Sequence, residues 1–292
     1  MNKNDNLASP AGDLVLPGGR VGFLLLHGLG GSPVELRFLA QGLNRAGHTV
    51  HAPLLRGHGG SPAELEATTW QDWYQSTEEA LERLASRCDV VIAGGISVGA
   101  VLALRLAAHR PDDVKATALY APTLWPNGWA IPRSLELFKV INDRFSANLF
   151  HFRERAPYGI KDERIRKFVL DSLQSNGKPM DEIFGRRGGV VLQFRWRVKD
   201  MMRTAGNVRQ PTLIFHPRHD DQSDLRNTFK LQRRLGGLVE TVVLDDSYHM
   251  VTLDRQRGLV TERSISFAEG VLKRVEAVAA MARARRGQVA AE

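Results

Sequence analysis

Apolar residues in this chain fall into short runs, and between the runs they recur at helical spacing. The runs at 13–16 and 20–26 predict strands, with Pro17, Gly18 and Gly19 as the turn between them. Phe23-Leu24-Leu25-Leu26 is apolar without alternation, the pattern of a strand buried on both faces. A helix is expected next. Ser32 would be its N-cap, Pro33 its first residue and Glu35 the partner in a capping box. Leu36, Leu39 and Leu43 give it an apolar face, and Gly47 ends it. A strand follows at 48–54. Thr68 or Thr69 then caps a helix carrying Trp70, Trp73, Tyr74, Leu81 and Leu84. The β-branched run from Val90 is the next strand, a helical pattern spans 101–108, and 114–120 is a further strand.

Strand and helix thus alternate as in a mostly parallel sheet flanked by helices, an α/β fold. The alternation breaks at 122–205, where helical stripes at 134–144 and 161–175 are interspersed with aromatics. It resumes with a strand at 211–215, a helix near 223–235, a strand at 239–244 and a final helix at about 258–281. The expected division is a flexible leader (1–12), a core (13–121 and 206–281), an inserted helical cap (122–205) and a tail (282–292). The cap enters at a strand's C-terminal end, the edge where open α/β sheets bind ligands. Its aromatics either roof a pocket there or form a core of their own, and the pattern alone does not sort them.

Composition narrows the class. With 43% hydrophobic and 25% charged residues the chain can bury a sizeable core. No apolar run approaches the ~20 residues needed to cross a bilayer. The polar N-terminus has no apolar leader pattern, and Cys88, as the single cysteine, excludes an internal disulfide, so a cytoplasmic protein is expected. The net charge of +8 is concentrated in 122–205, which holds 16 Lys and Arg against 9 Asp and Glu. Bases and acids are interleaved there without a binding motif, so nucleic acid is not expected as a partner.

The chemistry centres on Gly95-Ile96-Ser97-Val98-Gly99, set between strand and helix as a nucleophile elbow requires. Gly95 and Gly99 are expected because a Cβ at either would press on the neighbouring strand or helix. A serine hydroxyl is a weak nucleophile and needs a base, which in turn needs an orienting acid. In this strand–helix setting they follow in the order Ser, Asp or Glu, His, each after a later strand. His249 is the only histidine beyond both carboxylate-bearing loops. Asp220 is preferred as the acid, with Asp221 beside it still open and Asp246 a third choice better suited to a loop hydrogen bond. The tetrahedral oxyanion needs backbone donors, and the N–H groups of Val98 and Leu29 are the candidates. The glycines of His27-Gly28-Leu29-Gly30-Gly31 would let that backbone approach the substrate. His27 and His58 read as loop-bracing residues, and Cys88 as a small packed one. No zinc spacing and no complete dinucleotide fingerprint is present, so neither metal nor cofactor is expected.

Leu24 to Ser32, His51-Ala52-Pro53, Arg56-Gly57-His58-Gly59, Asp72-Trp73-Tyr74, the elbow, Arg218-His219-Asp220 and Tyr248 to Asp254 together carry a resemblance. On these stretches the chain resembles the bacterial carboxylesterases and monoacylglycerol lipases of the α/β-hydrolase superfamily. The resemblance implies the α/β-hydrolase fold, Asp220 rather than Asp221 as the acid, and an oxyanion hole of the Leu29 and Val98 N–H groups. The cap is longer and more basic than the compact cap of bacterial members, so acyl length and alcohol do not carry over. The expected activity is hydrolysis of small carboxylic esters with an apolar acyl group, through an acyl-enzyme on Ser97. The alternative is a thioesterase or acyltransferase acting on an anionic acyl carrier or lipid surface recruited by the basic cap. A hydrolase fold kept only for binding is a third reading.

Overall fold

The computed structural model describes residues 10–174 and 184–289. Seven strands, β1 (Leu14–Leu16), β2 (Val21–Leu26), β3 (Thr49–Ala52), β4 (Val90–Ile96), β5 (Val114–Tyr120), β8 (Thr212–Pro217) and β9 (Val239–Leu244), form one sheet. Their order is β1-β3-β2-β4-β5-β8-β9, and only the edge strand β1 runs antiparallel to its neighbour. Two short strands of the insertion, β6 (His151–Arg153) and β7 (Gly185–Arg187), pair separately. β2 lies beside β4, with Leu26 opposite Gly95. The chain leaves β2 toward β3 on one side and leaves β4 toward β5 on the other. That divergence opens a crevice at the C-terminal ends of β2 and β4, the topological switch point where such sheets bind ligands.

The helices are α1 (Arg37–Arg45), α2 (Pro62–Ala67), α3 (Trp70–Ala85), α4 (Val98–His109), α5 (Arg144–Asn148), α6 (Glu163–Gln174), α7 (Gly188–Thr204), α8 (Arg226–Gln232) and α9 (Arg257–Val289). Among the described residues none is long and apolar enough to cross a membrane. Successive residues of a strand point to opposite faces. Leu24 and Leu26 accordingly pack with Trp73, Leu81, Val101 and Leu104, while Phe23 and Leu25 pack with Leu39, Leu43, Val260 and Val271. Each such side chain, fully buried, stabilises the fold by about 1.5–3 kcal/mol. This two-sided burial fixes the sheet and everything at its edge.

Local departures from the sequence pattern have physical causes. Thr69 caps α3 in a capping box with Asp72, whereas the Thr68 hydroxyl accepts from Trp73 Nε1 at 2.8 Å. Helix α2, with its own box of Ser61 and Glu64, was not expected. The predicted box at Ser32 does not form. Ser32 makes no side-chain cap, and the first turn is a 3₁₀ helix (Pro33–Leu36) that leads into α1. The stripe at 134–144 becomes a 3₁₀ helix (Arg133–Val140), a break and then α5. α9 runs on to Val289, well past residue 281. Residues 1–9 of the expected leader and 290–292 of the expected tail lie outside the described residues.

The insertion between β5 and β8 sorts its aromatics. Trp125 and Phe138 form a cluster with Leu135, Ala147, Val191 and Leu192, against which Phe152 and Trp196 pack. Phe145 and Phe168 face solvent, at 82% and 72% exposure. α7 is two-sided. Val190, Phe194, Val198 and Met201 enter the core cluster with α3 and α4, while Val191 and Leu192 enter the insertion's own. Arg197, fully buried, pins this helix. Its guanidinium lies 5.2 Å from the Trp70 ring and 5.5 Å from the Tyr74 ring, donates to the Val101 carbonyl at 3.1 Å and pairs with Asp200 at 3.0 Å. Desolvation pulls its pKa down to about 9, so it stays charged at neutral pH.

Candidate active site

Ser97 stands between β4 and α4 at the crevice. Its φ is 54° and its ψ −112°, a backbone region that costs a non-glycine residue about 1–3 kcal/mol. The surroundings hold it there. A Cβ on Gly95 would lie 2.3 Å from the Gly99 carbonyl carbon, and one on Gly99 would lie 2.1 Å from the Leu26 carbonyl oxygen. The two glycines therefore let α4 close down on β4 and on the end of β2. The Ser97 N–H donates to the Tyr120 carbonyl at 2.9 Å, and its hydroxyl donates to Thr123 Oγ1 at 3.2 Å. Thr123 carried no signal in the sequence beyond its place just after β5.

The loops after β8 and β9 bring Asp220 and His249 together. His249 Nδ1 is 2.9 Å from Asp220 Oδ2 and 3.1 Å from Oδ1. Asp220 Oδ1 also accepts from the N–H groups of Gln222 and Ser223, both at 2.8 Å, which fixes the carboxylate. Both residues are buried. Burial pulls the His249 pKa down, but the charge and hydrogen bond of Asp220, then Asp221 and Glu154, outweigh it. The net shift is upward from the ordinary imidazole value. His249 Nε2 is buried and meets no hydrogen-bond partner among the described residues. Ser97 and His249 are thus not hydrogen-bonded to each other here; the hydroxyl is turned to Thr123. Such contacts are often long in unliganded enzymes and tighten with substrate.

Asp221 faces elsewhere. It accepts from the Gly159 N–H at 2.8 Å and from the His249 N–H at 3.3 Å, tying the insertion to the histidine loop. Asp246 pairs on the surface with Lys161 at 2.7 Å and Arg255 at 3.1 Å. Behind Asp220, His216 Nε2 donates to the Ser223 carbonyl at 2.7 Å and lies 3.6 Å from Asp220 Oδ2. Asp254, fully buried, accepts from the N–H groups of Lys161, Asp162 and Tyr248. Its place five residues after His249 was visible in sequence, but its service to the insertion was not.

The loop after β2 lies against the serine. A Cβ on Gly28 would be 3.8 Å from Ser97 Cβ. His27 braces it, accepting from the Leu55 N–H at 3.1 Å and lying 2.9 Å from the Gly28 carbonyl through Nδ1. Burial and the neighbouring His58 push its pKa down to about 3, so it is neutral and holds the loop through hydrogen bonds. His58 in turn bonds the Arg56 carbonyl through Nδ1. Burial raises the Cys88 thiol pKa, which keeps it protonated. Val98 is the first residue of α4, where helix geometry leaves N–H groups without intrahelical acceptors. Leu29 sits one residue beyond Gly28. The Gly28 N–H itself is taken, donating to Glu35 Oε2 at 3.0 Å. This is why Glu35 closes no capping box.

Two charged residues reach the same place from the insertion. Glu154 and Arg186 come from the antiparallel β6–β7 pair and its flank, where Phe152 pairs with Arg186 and the Glu154 N–H donates to the Phe184 carbonyl. Arg186 Nη2 donates to the Gly30 carbonyl at 3.3 Å. Burial raises the pKa of Glu35 to about 7 and also raises that of Glu154, and each feels both Arg186 and His249.

The matches to known proteins accord with this architecture. A family model described as serine aminopeptidase, S33, matches residues 20–256. The chain belongs to that family. This S33-family chain is 28% identical over 257 residues to a thermostable monoacylglycerol lipase of Bacillus sp. (strain H-257), covering 85% of the chain and 90% of the relative. It is 26% identical over 263 residues to a carboxylesterase of Bacillus subtilis (strain 168), covering 86% and 94%. A solved structure from work on LipS and LipT, two metagenome-derived lipolytic enzymes, superposes with a TM-score of 0.74 at 28% identity, covering 90% of the chain and 99% of that one. The monoacylglycerol lipase of Paleococcus ferrophilus shares the fold, with a TM-score of 0.72 at 18% identity, covering 89% of this chain and 98% of that one. The chain is an α/β-hydrolase of the lipase and esterase kind.

Proposed function

We propose that this enzyme hydrolyses carboxylic esters through an acyl-enzyme on Ser97. The observation that carries the reading is the strained serine at the crevice, locked by two glycines whose Cβ positions are already occupied by backbone. Such strain survives only where surrounding structure enforces it, and it exposes the hydroxyl above the sheet. In this reading His249 takes the Ser97 proton as the hydroxyl leaves Thr123 and attacks the ester carbonyl. Asp220 keeps the His249 proton on Nδ1 and stabilises the imidazolium. The Leu29 and Val98 N–H groups receive the oxyanion. His249 then protonates the departing alcohol and activates the water that releases the acid. The lipase and esterase relatives support an ester as substrate.

We further infer a cap role for 122–205, seated by Asp221, Asp254 and the two-sided α7. The anionic-carrier alternative is not favoured. Many of the insertion's cations are paired, including Lys139 with Glu136, Lys161 with Asp246 and Arg187 with Glu66. Arg186, which reaches the site, faces two carboxyls. A cytoplasmic location remains part of the proposal and rests on the sequence pattern alone.

Labelling with a fluorescent alkyl phosphonate tests the reading. The wild type should be labelled and should hydrolyse p-nitrophenyl butyrate, and Ser97→Ala should lose the label and about 10⁶-fold in kcat. An unlabelled, inactive wild type would remove the catalytic reading.

A further inference from the structure

The oxyanion loop holds glycine at three of its five positions, and two of these are matched to charged side chains. Gly30 has φ +69°, and a Cβ there would lie 2.2 Å from both Nε and Nη2 of Arg186. A Cβ on Gly31 would lie 1.8 Å from Glu35 Oε1. Sequence reasoning assigned these glycines to close approach of the substrate. The structure gives Gly30 and Gly31 another occupant: they make room for a guanidinium and a carboxyl. Those two groups also hold backbone. Glu35 Oε2 accepts from the Gly28 N–H at 3.0 Å, and Arg186 Nη2 donates to the Gly30 carbonyl at 3.3 Å. Between these tethers lies one residue, Leu29.

We propose that Arg186 is a positioning residue, which from the insertion holds the Gly30 side of the loop against Glu35 on the Gly28 side and thereby aims the Leu29 N–H. The proposal rests on the reading of that N–H as an oxyanion donor. A glycine-rich loop has few side chains to limit its backbone, so its peptide planes need outside restraint. An oxyanion donor works only if it is preorganised, and a displacement of about 1 Å costs on the order of 10²-fold in rate. Glu35 reaches the loop from the core and Arg186 from strand β7 of the insertion, so the loop is complete only when that strand pair is docked. Thr252 Oγ1, in the segment after His249, donates to the Glu35 carbonyl at 2.7 Å and joins the base's loop to the same tether.

The rival explanation is that Arg186 merely seats the β6–β7 pair. Arg187 separates the two. It is the next residue, projects to the other face of β7, and pairs with Glu66 at 3.4 Å on the core. Arg186→Met should lower kcat on p-nitrophenyl butyrate by about 10- to 100-fold with KM within about threefold. Affinity for an alkyl trifluoromethyl ketone, whose hemiketal oxygen occupies the hole, should fall in parallel with kcat/KM. Arg187→Met should leave both within about threefold. Glu35→Ala should behave as Arg186→Met, and Glu35→Gln, which keeps an acceptor for the Gly28 N–H, should recover most of the loss. If Arg186→Met does not fold, Arg186→Lys carries the test, with a partial loss of kcat and of ketone affinity expected. Unchanged ketone affinity in folded Arg186 variants, or equal losses in Arg187→Met, would overturn the proposal while leaving the Ser97 reading intact. A wild type that neither turns over ester nor takes the phosphonate label would bring down both.

Discussion

The sheet edge and the 122–205 insertion both deliver groups to the crevice, by different physical means. The edge does it with backbone. Ser97, Val98 and the residue 28–31 loop are placed by strand register, by helix α4 closing on β2, and by glycines that leave no slack. The insertion does it with long side chains on a separately clustered body, Glu154 and Arg186 among them. Backbone placement is stiff and general to the reaction. Side-chain placement is adjustable, so it is the natural carrier of selectivity. The adjacent pair at 220–221 lies where the two regimes meet, since Asp220 holds the His249 ring and Asp221 ties the insertion to the His249 backbone.

The largest expected effect tests that division. Asp220→Asn should lower kcat by about 10⁴-fold with little loss of stability, because it disrupts the imidazole's tautomer. Asp221→Asn should cost about tenfold or less in kcat and act mainly on Tm, since its acceptors hold backbone N–H groups of the insertion and the histidine loop. Equal kinetic losses would erase the distinction.

Within the insertion, Phe138→Ala should destabilise by about 3–5 kcal/mol in denaturant unfolding, as expected for a large buried aromatic. A loss confined to ester selectivity would mean that its cluster lines the site instead.

Titration sharpens the comparison further. The raised His249 pKa puts the acid limb of kcat/KM above about pH 6.5, because the base must be neutral. Stability has a defined sign. Both His249 and Glu35 have folded-state pKa values above their unfolded ones, so each stabilises below its unfolded pKa. That contribution is lost as pH rises through the folded value, about 7 for Glu35. His27 and His58, with folded pKa values lowered to about 3 and about 4, act in the opposite sense over the same range, so the Glu35 contribution is read as a difference: between pH 5 and pH 8, Glu35→Gln should gain Tm relative to wild type. A difference between the two proteins that does not change with pH would contradict the shift assigned to Glu35.

The smallest effect belongs to the exposed aromatics. Phe145→Ser should change stability by no more than about 0.5 kcal/mol. A large loss would mean that a face open to solvent here is covered in solution.

The sequence made the sheet edge legible because its signals are local. An unbroken apolar run announces a buried strand, and the elbow is five consecutive residues. The order of serine, acid and base follows from strand order alone. What the insertion contributes has no such signature. Arg186 meets Gly30 across 156 positions, and nothing in the pattern of either marks the contact. Glu35 misled for a related reason. Its spacing from Ser32 fits a capping box, but the Gly28 N–H competed for the same carboxyl and won. Thr123 and His216 are ordinary residues locally and acquire their significance from neighbours supplied by other strands.

Helix α7 sets a boundary for anyone exchanging parts between relatives. It supplies the return path from β5 to β8 and also half the floor beneath the insertion. A chimera cut at both ends of 122–205 would remove a structural beam along with the piece to be swapped. The usable splice lies before Gly188, leaving Arg197 in its aromatic slot and letting the transplanted segment bring only its own chemistry.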